Sequence, residues 1–261
     1  MKKIYGVFIK NANEMAVMRT ANTIVARILD VLGRHVEPGV PTMFFEELAQ
    51  AECKAAGVKP AFQGYQGFPF ALCCSVNEEV VHGFPSRRVL QEGDIVSFDM
   101  GVVHQGFYGD AARTYPVGVV SAEAEKLLRV TRESLFKGIA AIREGVPLYA
   151  LSRAIQEHVE GAGLHVVRRF VGHGIGRSLH EKPEVPNFAP GHGDGITLKA
   201  GMVLAIEPMV TLGTSEVEIL SDNWTAVARD KSLAAHFEHT VVVTRSGADI
   251  LSLAEGETWP F

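Results

Sequence analysis

One pattern occurs twice along the chain, once in each half, and it constrains the fold more than any other feature. In both halves a Gly-Val-Pro turn separates two amphipathic helices, at Gly39-Val40-Pro41 and again at Gly145-Val146-Pro147. Apolar residues at three- and four-residue intervals predict these helices at about residues 13–32, 42–56, 122–142 and 148–160. Gly57 and Gly163, which follow the second helix of each half, have the same separation as the two turns. We therefore expect two structurally similar halves.

The repeat continues into strands that end in a carboxylate. Residues 93–99 (GDIVSFD) match residues 201–207 (GMVLAIE) in having a turn glycine, an apolar run and an acidic residue. Strands are predicted at residues 95–100, 107–117, 167–171, 202–206 and 238–244. Helices and strands in blocks, with hairpins, indicate an α+β fold rather than a doubly wound parallel sheet. No Pro-, Gly- and Ser-rich linker divides the chain, so we expect one domain over residues 1–261, with halves of about 1–120 and 121–261.

Composition excludes several classes of protein. The 261-residue chain is 47% hydrophobic and has a formal net charge of −5 without a long basic run, so we expect neither a disordered chain nor a nucleic-acid partner. No apolar run approaches the ~20 residues that a membrane-spanning helix needs, and no membrane partner is expected. The three cysteines, Cys53, Cys73 and Cys74, contain no C-x-x-C pair and are expected to be reduced thiols. With no signal peptide recognisable, these features predict a cytoplasmic protein.

Five residues suited to metal binding stand beside glycines or at the ends of apolar strands: Asp99, Asp110, His173, Glu207 and Glu238. Asp99 and Asp110 lie on consecutive predicted strands joined by a tight turn at Gln105-Gly106, so a hairpin can bring both carboxylates to one end of a sheet. Glycines on both sides of His173 permit close approach by a ligand. Four carboxylates and one imidazole suit a pair of divalent cations, and such a pair is typical of hydrolases.

Other roles are open for some of these residues. Asp110 can cap a turn while Asp99 pairs with a cation such as Arg113. His82 is either a proton donor or acceptor at neutral pH or a hydrogen-bonded loop histidine. The chain lacks the G-x-S-x-G elbow of serine hydrolases. Nothing positions a thiolate at Cys73 or Cys74, which argues against a cysteine nucleophile.

Six short segments carry a resemblance that covers nearly the whole chain, in order and at fitting spacing. They are residues 76–83 (VNEEVVHG), 94–99 (DIVSFD), 109–110 (GD), 172–176 (GHGIG), 206–208 (IEP) and 237–240 (FEHT). As a set they resemble the type I methionine aminopeptidases, in the short bacterial form that lacks an N-terminal zinc-binding extension. The resemblance implies the pita-bread fold, in which two pseudo-symmetric halves place helices outside a curved, mainly antiparallel sheet.

The resemblance also implies metal ligands and catalytic groups. The five residues above would bind two divalent ions of Co, Mn, Fe, Zn or Ni, and the metal used in the cell stays open. Asp110 and Glu238 would bridge the ions. Asp99 would complete the coordination of one ion, and His173 and Glu207 would complete that of the other. A hydroxide activated by both metals would attack the first peptide carbonyl. Glu207 would transfer the proton, His180 would stabilise charge on the carbonyl oxygen, and His82 would hydrogen-bond at the scissile amide nitrogen.

The same resemblance assigns a substrate site. Besides His82 and His180, the methionine pocket would be formed by Tyr65, Phe68, Cys73 and Trp224. Ordinary core packing is an alternative for Phe68. Two positions depart from the family pattern: Leu179 stands where Phe is usual, and His236 stands where Gln is common. The first change softens a pocket wall, and the second alters hydrogen bonding around the ligands.

The function expected from this reading is removal of the initiator methionine from nascent chains whose second residue is small. N-terminal Met peptides are the expected partners, the enzyme is expected to be a monomer, and a transient contact with the ribosome is left open. An Xaa-Pro peptidase shares such ligands, but usually carries an added N-terminal domain. A binding relative without catalysis typically loses ligands, and all five are present. The acidic balance disfavours a metal nuclease.

Overall fold

The helices begin and end close to the positions that the sequence predicts. The computed structural model describes residues 2–254 and Gly256, and its helices are α1 (Ala12–Gly33), α2 (Thr42–Ala55), α3 (Ala122–Ala140) and α4 (Tyr149–Gly161). A capping box begins α1, since the Glu14 N–H donates to the Asn11 side chain and the Asn11 N–H donates to the Glu14 side chain. Ser121 caps α3 by accepting from the Ala124 N–H. The four predicted helices are confirmed.

Strands of both halves join in one nine-stranded sheet. The strands of the first half are β1 (Lys2–Ile4), β2 (Val7–Ile9), β3 (Lys59–Pro60), β4 (Cys73–Val76), β5 (Glu79–Val81), β6 (Ile95–His104) and β7 (Phe107–Pro116). Those of the second half are β8 (His165–Val166), β9 (Gly172–Gly174), β10 (Glu181–Val185), β11 (Val203–Ile206), β12 (Met209–Thr211), β13 (Val217–Ile219), β14 (Ala226–Ala228), β15 (Ala234–His236), β16 (Glu238–Val243) and β17 (Ala248–Ile250). The large sheet has the order β10-β9-β11-β16-β7-β6-β3, with β4 paired to β6 and β17 to β16.

The two halves meet where β7 pairs with β16. On one side β6 and β7 form an antiparallel hairpin, and its turn residues Gln105 and Gly106 have φ values of 48° and 77°. Such positive φ values match the right-handed twist of a two-residue hairpin. On the other side β11 pairs antiparallel with β16, so β6 and β11 occupy related positions about the central pair. The repeated carboxylates therefore approach one another across the junction of the halves.

The helices pack on one face of this sheet and leave the other face free for a site. Tyr115 of β7 donates its hydroxyl hydrogen to the Leu29 carbonyl of α1, and Arg113 of β7 pairs with Asp30 of the same helix. In the second half, the ring of Phe136 in α3 contacts that of His239 in β16. Separate apolar cores form beneath α1–α2 and beneath α3–α4. Side chains alternate along a strand, so the neighbours of Arg113, Tyr115 and His239 in their strands face away from the helices.

One strand prediction was wrong. Residues 167–171 are not a strand, because the chain crosses there between two sheets. β8 before them pairs with β12 in a three-stranded sheet, whereas β9 after them pairs with β10 and β11 in the large one. The β-branched and aromatic residues at Val167, Phe170 and Val171 favour an extended chain but do not indicate this crossing.

The continuous sheet supports our proposal of a single domain over residues 1–261, whose halves share the β7–β16 ladder. Met1, Glu255 and residues 257–261 lie outside the described residues. Within the described part of the chain, no helix combines the length and apolarity needed to cross a bilayer.

Candidate metal centre

The register of β6, β7 and β16 brings three predicted ligands to one face of the sheet. Asp99 and Glu238 both pair with Ala112, from opposite sides of β7. Paired residues face the same way, as do residues two apart, so Asp110 joins them. This is the face opposite the helices. The small side chain of Ala112 leaves the space between the three carboxylates open.

His173 and Glu207 reach the same face from the second half. Ala205 of β11 pairs with His173 of β9, and Glu207 lies two residues beyond Ala205. The glycines beside the histidine allow its strand to fit between its neighbours. A Cβ on Gly172 would collide with the Ala205 carbonyl oxygen, and one on Gly174 with the Lys182 carbonyl oxygen. The close backbone approach that the Gly-His-Gly sequence permits is therefore used by the fold.

The side chains converge within reach of a common ion. One ligand atom from each of Asp110, His173 and Glu238 lies within 4.8 Å of the others. The His173 Nε2 is 3.8 Å from Asp110 Oδ2 and 3.6 Å from Glu207 Oε1. The His173 Nδ1 donates to the Gly174 carbonyl at 3.0 Å, which leaves the lone pair of Nε2 directed at the carboxylates.

Burial and mutual repulsion shift the titration of these groups strongly. Burial raises the pKa of Asp99 to about 7. Burial, followed by repulsion from neighbouring carboxylates, raises the pKa of Asp110, Glu207 and Glu238 well above the usual range. Burial lowers the pKa of His173 to about 3. Four acids held together in this way need a compensating positive charge in order to ionise.

The donor set fits divalent cations. Asp99 Oδ1, Asp110 Oδ1 and Glu238 Oε1 are buried without a hydrogen-bond partner among the described residues. Carboxylate oxygens with one imidazole nitrogen are ligands that Mn, Fe, Co and Zn accept. Positive charge at this point would satisfy the orphaned oxygens and remove the repulsion among the acids.

The alternative of an Asp99–Arg113 pair does not hold. Arg113 pairs with Phe98 across the hairpin, so it faces the helices, whereas Asp99 faces the opposite side. The guanidinium lies 2.5 Å from Asp30 Oδ1.

We expect the metal-free protein to lose stability as pH rises from about 6.5 to 8.5. In this range the carboxyl groups of raised pKa keep their protons in the folded state, whereas the same groups have lost them in the unfolded chain. Ionisation therefore opposes folding. Each such proton corresponds to about 1.4 kcal/mol per pH unit, or about 2–4 °C in Tm for a chain of this size. Below about pH 6.5 the lowered pKa of His82, His173 and His236 works in the opposite sense.

The measurement is a series of thermal melts of chelator-treated protein across this pH range, with and without added Mn²⁺. Mn²⁺ should raise Tm more at the alkaline end of the range. In the metal-free protein, Asp110→Asn should make Tm depend less steeply on pH. A Tm of the metal-free protein that is constant or rises with pH would contradict the electrostatic account.

A cavity of about 180 Å³ contains the carboxylates in its wall. Its wall contains the predicted substrate residues Tyr65, Phe68, Cys73 and Trp224. The Phe68 and Trp224 rings meet edge to face with centroids 5.1 Å apart. Cys73 pairs with Asp99 in the β4–β6 ladder, and burial, followed by the Asp99 charge, raises the pKa of its thiol well above the usual value. A protonated thiol among aromatic rings suits a thioether side chain and cannot act as a nucleophile.

Two histidines share the cavity wall with the carboxylates. Both His82 and His180 line the cavity, and His82 adopts a φ of 61°, which is uncommon outside glycine. The His82 ring contacts those of Phe170 and Trp224 edge to face. The His180 ring lies 4.3 Å from that of His173, and its Nδ1 is 2.7 Å from the Tyr65 hydroxyl oxygen. His82 thus lies outside the strands, and its side chain faces the cavity.

Sequence reasoning missed two features of the site. Phe62 lines the cavity, and no local motif distinguishes it from a core residue. Lys10 is also buried, with its Nζ 2.6 Å from Glu181 Oε2, while Glu181 Oε1 accepts from the N–H groups of Arg177 and Ser178. This network fixes the loop that carries His180. Its partners are far apart in sequence, so nothing local predicts the pair.

Comparison with known proteins places this geometry in a family. Residues 16–245 match metallopeptidase family M24. The chain belongs to metallopeptidase family M24. It is 50% identical over 251 residues to the methionine aminopeptidase of Clostridium acetobutylicum, covering 95% of this chain and 100% of that protein. The crystal structure of methionine aminopeptidase from Thermotoga maritima superposes with a TM-score of 0.92 at 48% identity, covering 95% of this chain and 100% of the other.

Within M24 the chain is therefore a member of the methionine aminopeptidases, and the pita-bread α+β fold expected from the resemblance is confirmed. Prolidase from Pyrococcus furiosus shares the fold at 22% identity with a TM-score of 0.76, and the match covers 66% of that longer chain. Fold alone thus does not distinguish a methionine aminopeptidase from a prolidase. Divalent metal binding follows from the family and from the buried Asp110–His173–Glu238 group.

Proposed function

We propose that this M24 enzyme removes the N-terminal methionine from peptides and nascent proteins whose second residue is small. The observation that carries the proposal is a single cavity whose wall combines aromatic rings and a thiol with the buried carboxylate cluster. An unbranched thioether fits such a cavity, and its peptide carbonyl would then lie over the carboxylates. The methionine aminopeptidases of similar sequence support the assignment.

Five residues would hold two divalent ions: Asp99, Asp110, His173, Glu207 and Glu238. Asp110 on β7 and Glu238 on β16 lie in the central pair of strands, between Asp99 on one side and His173 and Glu207 on the other, and would hold the ions together with these outer ligands. The bound ions would supply Lewis acidity and a nucleophile at neutral pH. The kind of ion used in the cell is left to metal analysis, since such ligands accept Co, Mn, Fe, Zn or Ni.

The chain's own groups would position the substrate and move its protons. Burial, followed by repulsion from His180, lowers the pKa of His82 to about 4, so this imidazole is neutral at pH 7 and can hydrogen-bond at the scissile amide nitrogen. If the Tyr65 hydroxyl donates to Nδ1 of His180, the proton stays on Nε2, which can then donate to the carbonyl oxygen. Glu207, at the edge of the cluster, would carry the proton toward the leaving amine.

The selectivity for a small second residue would arise at the rim of the cavity. The Tyr65 and His180 rings lie 5.3 Å apart, and the His180 ring contacts that of His173 as well. A bulky second residue would have to displace this packed group of rings. The substrate's free amino group would face the buried carboxylates, which limits cleavage to the first peptide bond.

The deciding experiment compares Met-Ala-Ser, Met-Leu-Ser and Ala-Pro-Ser as substrates for the protein loaded in turn with Mn²⁺, Co²⁺ or Fe²⁺. We expect release of methionine from Met-Ala-Ser, at least about 10-fold slower release from Met-Leu-Ser, and no cleavage of Ala-Pro-Ser. Cleavage of Ala-Pro-Ser alone would make the chain an Xaa-Pro peptidase. No cleavage of any peptide with any metal would support the binding-only alternative.

The proposal extends to the enzyme's setting. We infer a monomer that acts in the cytoplasm on chains emerging from the ribosome, which it would contact at most transiently. Few large apolar side chains are exposed among the described residues: Tyr5, Phe44, Val89, Val119 and Leu220. Isolated apolar residues of this kind do not make a stable dimer interface. Light scattering of the purified protein tests the monomer, and co-sedimentation with ribosomes tests the contact.

A further inference from the structure

The His236 imidazole is a buried polar group that the proposed reaction does not use. The residue is 1% exposed, and its Nε2 has no hydrogen-bond partner among the described residues. Its nearest charged neighbour is Glu207, whose Oε2 is 3.7 Å from this Nε2. The other oxygen, Oε1, is 3.6 Å from His173 Nε2. The Glu207 carboxylate therefore lies between two imidazoles, one of which is a proposed metal ligand.

The backbone of His236 is clamped from the first half of the molecule. Thr114 Oγ1 donates to the His236 carbonyl at 2.8 Å and accepts from the His236 N–H at 2.9 Å. The Ser97 hydroxyl lies 2.8 Å from Thr114 Oγ1, and it must be the donor there because the Thr114 hydrogen is already used. A chain of hydrogen bonds from β6 through β7 thus fixes β15 at the point where the His236 ring faces Glu207.

The Glu207 carboxylate is an acceptor close to the unpaired Nε2. An imidazole carries at least one N–H, and leaving a buried donor or acceptor unpaired is unfavourable. A separation of 3.7 Å is longer than a hydrogen bond, but a small rotation of the carboxylate closes it.

We propose that His236 is a positioning residue for Glu207: its Nε2–H donates to Oε2 and holds Oε1 on the side of His173, toward the metal centre. This inference rests on the proposed role of Glu207 as a ligand and proton carrier. A carboxylate held by one oxygen presents the other in a fixed direction, which favours metal binding at the Glu207–His173 side. Histidine stands here in place of the more common glutamine, but the side chains of both residues can donate a hydrogen bond.

The test uses His236→Leu, which removes the donor at similar volume, and His236→Gln, which restores a donor. His165→Leu is the matched control, because His165 is exposed on β8, away from the cluster. Mn²⁺ is titrated into each chelator-treated protein by calorimetry, a readout that does not depend on turnover. We expect His236→Leu to weaken one Mn²⁺ binding step by about 10–100-fold, and His236→Gln and the control to remain within about 3-fold of wild type.

Kinetics on Met-Ala-Ser give a second readout. With saturating Mn²⁺, His236→Leu should lower kcat and leave KM nearly unchanged, because His236 is not among the residues that line the substrate cavity. Wild-type Mn²⁺ affinity in a folded His236→Leu protein would overturn the proposal. If His236→Gln lost as much Mn²⁺ affinity as His236→Leu, the role of His236 as a hydrogen-bond donor would be overturned. Failure of the proposed function is distinguishable, since it would appear as an inactive wild-type protein whatever the Mn²⁺ titrations show.

Discussion

Glu207→Ala is expected to lower kcat for Met-Ala-Ser by about 10²–10⁴-fold, the range found when a general acid–base group is lost. The carboxylate lies within 4 Å of two imidazoles, His173 on one oxygen and His236 on the other. Removing it takes away a proposed ligand and the proposed proton carrier at once. The substitution also relieves repulsion among the buried acids, so the protein should fold and its Tm without metal should not fall.

Glu207→Gln and Glu157→Ala serve as controls for this prediction. The first keeps the shape and one ligand oxygen but cannot carry a proton at neutral pH, so it separates metal binding from proton transfer. The second removes an exposed glutamate on α4 and should leave kcat unchanged. A Glu207→Ala enzyme that binds two Mn²⁺ and turns over within about 10-fold of wild type would remove Glu207 from the mechanism.

Lys10→Met is expected to destabilise the fold by about 3–5 kcal/mol, the usual cost of leaving one partner of a buried ion pair without the other. The side chains of Lys10 and Glu181 are 1% and 5% exposed, and their charged atoms are 2.6 Å apart. Glu181 directly follows His180 and accepts two backbone N–H bonds of the same loop. Loss of the ion pair should therefore also disturb the position of His180, so kcat should fall along with Tm.

Two further variants separate the charge effect from packing. In Lys10→Met combined with Glu181→Gln, the neutral amide keeps the backbone hydrogen bonds, so most of the lost stability should return. Lys231→Met breaks an exposed pair with Glu218 and should cost less than about 1 kcal/mol. Urea unfolding of the metal-free proteins gives the three values. Equal losses in Lys10→Met and in the double variant would show that the ion pair itself matters little.

Local sequence was sufficient for the helices and for most of the strands that carry the site. The turn at Gln105-Gly106 formed where the sequence placed it, and α1 begins close to its predicted start, with a capping box at Asn11 and Glu14. Both features depend on contacts within a few residues. The wrong strand at residues 167–171 shows the limit of such reasoning. A short segment rich in β-branched and aromatic residues is compatible both with a strand and with an extended crossing between two sheets, and the choice depends on distant pairing partners.

The candidate site was predictable in its residue types but not in its full construction. The glycines around His173 and the acids at strand ends are local signals. The resemblance also drew attention to His236, yet only the structure shows that its partner is Glu207. Phe62 and Lys10 gave no signal, because a cavity wall and a buried ion pair are defined by contacts between distant segments.

The sequence by itself determined the two related halves, the carboxylate at the end of the matching strands, and the class of chemistry that four acids and an imidazole support. The register of the sheet, which only the tertiary structure shows, places Asp99 and Glu238 on either side of Ala112, where each has a buried oxygen without a hydrogen-bond partner among the described residues. The same register turns Arg113 toward the helices. The physical reason lies in strand geometry. Alternation along a strand records which side each residue takes relative to its neighbours, but the register between strands, set by the whole sheet, decides which side chains face one another.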